Sequence, residues 1–218
     1  MIDVTQEQNI IYGLPETADI EEMAELLADV FSRYEPPAVA AGLSITTVRE
    51  IVNLYGRRAA GDGLTIVARD RSTGKLIGAM LTDDFAGPPP ENSDTLPESF
   101  APVAALLDGL DQQYRRIHPA DPGQVLHLFM LGVAPDFGGR GIARTLVRLT
   151  LANGKKEGYE RAITEATGNV SQHVFRALGF VERFHIPYKE FTFRGKRPFE
   201  SIVGHKSIML MERSLNAL

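Results

Sequence analysis

The chain has 218 residues, 44% of them apolar, and a formal net charge of -5 with no basic stripe, which fits one globular domain and argues against a nucleic-acid binder. Cysteine is absent, which excludes disulfides, thiolate metal sites and a cysteine nucleophile and fits a reducing compartment such as the cytoplasm. No apolar run reaches the ~18 residues of a membrane span, the start Met1–Glu7 lacks the basic and apolar regions of a signal peptide, and no internal repeat is present.

Residues 9–14 read as a short strand. A helix follows, with Asp19 and Glu22 as its N-terminal cap and Ile20, Met23, Leu26, Leu27, Val30 and Phe31 on one face, until Pro36-Pro37 stops it. A second helix starts near Thr47 and Glu50 and carries Val48, Ile51, Val52 and Tyr55 on one side. Leu64–Arg69 and Lys75–Thr82 read as two strands joined by a turn ending in Gly74. Residues 86–102 hold Pro88, Pro89, Pro90, Pro97 and Pro102 and read as a loop. A third helix spans about 101–117, with Val103, Leu106, Leu107, Leu110 and Tyr114 as its apolar positions.

The strand Val125–Val133, a glycine turn and a helix from Ile142 to about Glu157 come next. Arg161–Ala166 is a strand, and Ser171–Leu178 a short helix stopped by Gly179. From Val181 the chain reads as two long strands around Arg194–Pro198. The order implies an α/β (α+β) fold with a mixed sheet and helices on both faces. It is a single domain, 1–218, with a loop-helix insertion at about 86–120.

The segment Leu131-Gly-Val-Ala-Pro-Asp-Phe-Gly-Gly-Arg-Gly-Ile-Ala143 carries the chemistry. A strand, a proline turn, a glycine cluster and a helix in that order leave backbone N–H groups free around a helix N-terminus, where an anion such as a pyrophosphate fits. Gly138, Gly139 and Gly141 remove side chains where a phosphate approaches the backbone. The same pattern also serves as an ordinary strand–helix connection. It lacks the spacing of the dinucleotide fingerprint and the Gly-Lys-Ser/Thr of a Walker loop.

Gly138-Gly139-Arg140-Gly141-Ile142-Ala143 resembles the acyl-CoA-binding motif of the GNAT N-acyltransferase superfamily, Arg/Gln-x-x-Gly-x-Gly/Ala. Gly138 stands where that family has Arg or Gln, and Arg140 or Arg144 is left to supply the charge. A second segment, Glu165–Phe180, resembles the helix that usually ends Tyr-x-x-x-Gly-Phe in this superfamily, with Phe175 at the position of the thiolate-protonating Tyr. The resemblance implies a mostly antiparallel sheet of about seven strands. Its central strands, ending at Val133 and near Ala166, splay to admit the pantetheine arm of acetyl-CoA. Leu131, Val133, Ile142, Ala143, Ser171 and Phe175 join the glycine turn and Arg140 as cofactor contacts.

The chain further resembles the arylalkylamine (dopamine-type) N-acetyltransferase branch, through Phe31-x-x-Tyr34-Glu35-Pro36, the helical insertion, the Thr167-x-x-x-Ser171 spacing and the pattern from Tyr188 to Met211. That resemblance implies Glu35 as general base, assisted by the hydroxyls of Thr167 and Ser171. A carboxylate beside Tyr34, Pro36 and Pro37 fits the task, because a primary amine of pKa about 10.4 costs on the order of 4–5 kcal/mol to deprotonate at neutral pH. Each residue has a plainer reading too: Glu35 as a solvated helix-end carboxylate, Ser171 as a helix-start cap, and Thr167 as a structural hydroxyl.

His127 in the motif strand is the alternative base, or a hydrogen-bonded structural histidine. No His, Asp or Glu spacing suggests a metal site. The resulting expectation is transfer of an acetyl group from acetyl-CoA to a small primary amine, an arylalkylamine first and a polyamine second, with no metal, nucleic acid or membrane partner. The rival readings are a protein lysine or N-terminal acetyltransferase and a non-catalytic acyl-CoA sensor. The oligomeric state is left open, with a homodimer as the assembly considered.

Overall fold

The computed structural model describes residues 9–90, 92 and 95–216 and arranges seven strands into one sheet. The start of the chain, read above for a signal peptide, lies outside the described residues. In chain order the strands are β1 (Ile10–Gly13), β2 (Ile66–Asp70), β3 (Leu76–Asp84), β4 (Val125–Val133), β5 (Arg161–Ala166), β6 (Val181–Pro187) and β7 (Ser207–Ser214). The helices are α1 (Asp19–Tyr34), α2 (Pro36–Ala40), α3 (Ile45–Gly61), α4 (Ala101–Ile117), α5 (Ile142–Lys156) and α6 (Asn169–Ala177). Among the described residues no helix is long and apolar enough to cross a membrane.

The sheet order is β1-β2-β3-β4-β5-β7-β6, with β4 and β5 parallel and every other neighbouring pair antiparallel. One face is covered by α1, α3 and α4, the other by α5 and α6. Each helix buries one stripe: Met23, Ala24, Leu27 and Ala28 on α1, Val103, Leu106, Leu110 and Tyr114 on α4, and Leu146, Val147 and Leu151 on α5. Close packing of α1 on β4 depends on Gly132, where a Cβ would come within 2.6 Å of Leu27 Cδ2.

Two irregularities of β4 shape the centre. Leu81 pairs with Met130 but Thr82 pairs with Leu128, so Phe129 is an extra residue, a β-bulge. The ladder between β4 and β5 runs only from Val125↔Arg161 to His127↔Ile163, although β4 continues to Val133 and β5 to Ala166. Beyond His127 the two strands part.

Local chemistry departs from the sequence reading in four places. Asp19 does not cap α1; it is the first helical residue, accepts from Glu16 N at 2.9 Å and pairs with Arg69. Glu22 instead accepts from Leu76 N at 2.8 Å, tying α1 to β3. Pro36-Pro37 ends α1 but also opens α2, since proline's fixed φ and missing N–H suit a first helical turn. α3 begins at Ile45, because Ser44 Oγ accepts from Thr47 N at 3.0 Å as its cap. The two long C-terminal strands are shorter than expected: residues 188–206 leave the sheet, and Tyr188 and Phe199 from this excursion are fully buried.

Candidate active site

The parting of β4 and β5 opens a cavity of about 370 Å³ whose walls come from α1 to α6 and the two strands. It brings together Glu35, Leu131, Val133, Ala143, Thr167, Ser171 and Phe175. Gly138, Gly139, Arg140, Gly141 and Ile142 stand outside its lining, in the turn that leads from β4 into α5.

Strand alternation orients the donors on β4. Ala134 N donates to Ile77 O at 2.8 Å, toward β3, so the N–H groups of Val133 and Leu131 turn the other way, into the opening. Past a short 3-10 turn at Pro135–Phe137, Gly139 and Gly141 take φ of +75° and +80°, values that L side chains rarely adopt. Gly141 is the N-cap of α5, and among the described residues no side chain caps that helix, so its first N–H groups remain available to an anion. The Ile142 side chain is buried in the core beside Gly78 and offers only its backbone outward. Arg140 lies over the Phe137 ring at 4.8 Å, close to this turn. A thioester with a pyrophosphate-bearing tail therefore meets N–H donors along the splayed strand and a helix N-terminus at its exit, and the residues fit acetyl-CoA.

Glu35 links α1 and α2. Its own N–H donates to Phe31 O at 3.1 Å, and the following proline holds it extended at ψ 119°. Its Oε2 accepts from Ala38 N at 2.5 Å, and the Thr167 hydroxyl donates to the same carboxyl. Enclosure by apolar cavity walls outweighs these two bonds and pushes the carboxyl up to about 7. Tyr188, a residue whose role was not visible from its spacing, donates its hydroxyl to Thr167 O at 2.6 Å and so steadies Thr167 from behind. Burial, then the Glu35 charge, raises the Tyr188 phenol far above its ordinary range, so it stays a donor.

Ser171 is the third residue of α6. Its Oγ accepts from Gly168 N at 3.2 Å and donates to Gly168 O at 2.9 Å, one half of a capping box, while its side chain borders the cavity. Phe175 is buried against Phe180 with ring centroids 5.0 Å apart. His205 also lines the cavity and accepts from Asn169 N through Nδ1 at 3.1 Å, so a neutral ring carries its proton on Nε2.

His127 is not free to act as a base. Its Nδ1 lies 2.9 Å from Asp83 Oδ1 and its Nε2 2.7 Å from Glu165 Oε2. These two carboxylates overcome the cost of burial and hold the imidazole protonated well above its usual range. The partners of His127 were missed in the sequence. The available signal was an acidic residue, Glu165, set between buried Thr164 and Ala166 on a central strand.

The family model for the acetyltransferase (GNAT) family matches residues 22–180, which include both splayed strands, the glycine turn and Glu35. The chain belongs to the GNAT family. Its fold is also that of several solved structures. The C-terminal condensation domain of Ebony, solved with beta-alanyl-dopamine, superposes with a TM-score of 0.86 at 17% identity, covering 94% of this chain and 98% of that one. Arylalkylamine N-acetyltransferase 2 from Aedes aegypti gives 0.81 at 21% identity over 96% and 100%. Polyamine N-acetyltransferase from Drosophila melanogaster gives 0.77 at 17% identity over 94% and 99%. At these identities the likeness is one of fold.

Proposed function

We propose that this GNAT protein is a cytoplasmic N-acetyltransferase that moves an acetyl group from acetyl-CoA to the primary amine of a small molecule by direct attack. The observation that carries the reading is Glu35: a carboxyl pushed up to about 7, held by Ala38 and Thr167, on the wall of the cavity onto which the Leu131 and Val133 N–H groups open. A base poised near neutral pH suits an amine that arrives protonated. Its apolar surroundings favour neutralisation on both sides of the transfer, so the ammonium proton passes to Glu35 as the amine enters.

Acetyl-CoA supplies the activated thioester carbonyl. Leu131 and Val133 N–H groups are placed to receive a carbonyl oxygen that gains negative charge. Ser171 is assigned the donor role toward the departing sulfur, since Phe175 has no proton to give; Thr167 holds Glu35 in position. The neighbours that act on arylalkylamines and polyamines support a small acceptor, as does a cavity enclosed on one side by α3 and α4.

The test is release of CoA thiol across a panel of arylalkylamines, polyamines and lysine peptides. Amine-dependent release with small amines is expected. Release with peptides alone overturns the small-molecule reading in favour of protein acetylation, and binding of acetyl-CoA without any release identifies a sensor.

A further inference from the structure

Residues 167 and 168 join β5 to α6, set Thr167 beside Glu35 and lead into Ser171. The excursion between β6 and β7 grips this junction. The Tyr188 hydroxyl donates to Thr167 O at 2.6 Å. Asn169 donates from its backbone N–H to His205 Nδ1 at 3.1 Å and from its side-chain amide to Gly204 O at 2.8 Å. Gln172, buried in α6, bridges Ala166 O at 3.2 Å and Ser207 O at 2.9 Å. Pro36, the residue after Glu35, packs on the same junction: a Cβ at Gly168 would meet Pro36 Cγ at 3.6 Å and His205 Cε1 at 3.7 Å. The junction is therefore a layer between the Glu35 link and the excursion.

Tyr188 is the fully buried member of this grip. Its N–H donates to Lys206 O at 3.1 Å, and its ring centroid lies 6.1 Å from that of Phe199. It does not border the cavity, so it acts on the reaction through Thr167 rather than by contact. A buried phenol and a carbonyl that satisfy each other hold both groups in place, because losing one leaves the other orphaned.

The geometry points to Tyr188 as a positioning residue of the acetyl transfer: by fixing the Thr167 carbonyl it keeps the Thr167 hydroxyl turned onto the Glu35 carboxyl. This rests on the acetyltransferase reading above and gives the C-terminal excursion a part in it. A hydroxyl donated to a carboxylate favours the ionised form, and burial opposes it. At Glu35 burial dominates, and the bonds from Ala38 and Thr167 pull the other way. Loosening the Thr167 bond leaves burial less opposed, so the carboxyl keeps its proton to higher pH. The other titratable side chains on the cavity walls are Tyr34 from α1, Glu165 from β5 and His205 from the excursion; among the described residues α2 to α6, β4 and β7 present none. Glu165 is engaged by His127, and His205 by Asn169. Behind the walls, burial keeps Tyr188 a neutral phenol.

The pH dependence of CoA thiol release at saturating amine and acetyl-CoA tests this with the full chain in wild type, Tyr188→Phe, Thr167→Val, their double variant and Thr167→Ser. Tyr188→Phe should move the rate step upward by about half to one pH unit, and Thr167→Val by at least as much. In the double variant the step should stay where Thr167→Val puts it, because Tyr188 acts through Thr167. Thr167→Ser keeps the hydroxyl and should hold the wild-type step. CoA affinity should be unchanged throughout, and saturating acetyl-CoA supports a weakened variant by mass action. A Tyr188→Phe enzyme slowed equally at every pH, which is what a purely structural tyrosine gives, would overturn the proposal, as would shifts that add in the double variant. Thr167→Val carries the test if Tyr188→Phe fails to fold, since an unmoved step there also overturns it. The underlying reading fails differently. No release by the wild type with any amine removes the enzymatic reading, and a step that survives in Glu35→Gln removes Glu35 as the base; either takes this role with it. Wild-type release with a Glu35 step that Tyr188→Phe leaves unmoved removes the role of Tyr188 alone.

Discussion

Glu35 has opposite effects on activity and stability. Its carboxyl ionises near 4.5 in an unfolded chain and near 7 in the fold. Below the first value both states hold the proton and nothing is lost. As pH rises from about 4.5 to 7 the unfolded state ionises first, so the fold loses stability over that window and levels off above it. The loss is about 3 kcal/mol at most, and less where solvent enters the cavity. Glu35→Gln keeps an acceptor for Ala38 N and carries no charge. Its melting temperature should match the wild type near pH 4 and exceed it at pH 8, by the equivalent of about 1–3 kcal/mol; a lower value at pH 8 would show that the carboxylate is not held against burial. Ser171 separates a cap from a donor. Ser171→Ala loses half of a capping box, about 1 kcal/mol, and on the proposed role it should also slow turnover more than it weakens CoA affinity, as single-turnover rates and CoA titration would show. Unchanged turnover would leave it a cap.

At the scale of elements, the glycine turn and α5 belong together. Gly141→Asp places a side chain at φ +80° and a negative charge at the uncapped N-terminus of α5. The variant should keep a folded sheet and lose the thermal shift that saturating CoA gives the wild type, which is about 2.7 kcal/mol at a hundred times the dissociation constant. An undiminished shift would move the pyrophosphate elsewhere. These elements are also where the sequence was most legible. β4, α4 and β5 matched their expected bounds, because long apolar periodicity flanked by proline and glycine leaves few alternatives. The misses were tertiary. Glu22 became the partner of Leu76 N across the sheet, and Asp19 that of Arg69, which no local capping pattern encodes. The C-terminal strands ended early because Tyr188 and Phe199 turn inward to the core, a long-range demand.

Over the whole molecule, the sequence identified the fold and the splayed cleft through resemblance, and placed Glu35, Thr167 and Ser171 in motifs far apart in the chain. What it did not show was the apposition of Asp83, Asp111, His127 and Glu165. These come from four elements, and each alone looks like an isolated polar residue. That apposition turns His127 from the rival base into an imidazolium held between carboxylates, and the base we propose is Glu35, the cavity-lining carboxyl pushed up to about 7. The pH dependence of the acetylation rate at saturating amine, compared between wild type and Glu35→Gln, tests this most directly. The wild-type rate should rise with pH through an apparent value near 7, and Glu35→Gln should lack that step and run roughly 10² to 10⁴ slower. A Glu35→Gln enzyme with a near-normal rate and the same pH step would contradict the assignment of Glu35 as the base.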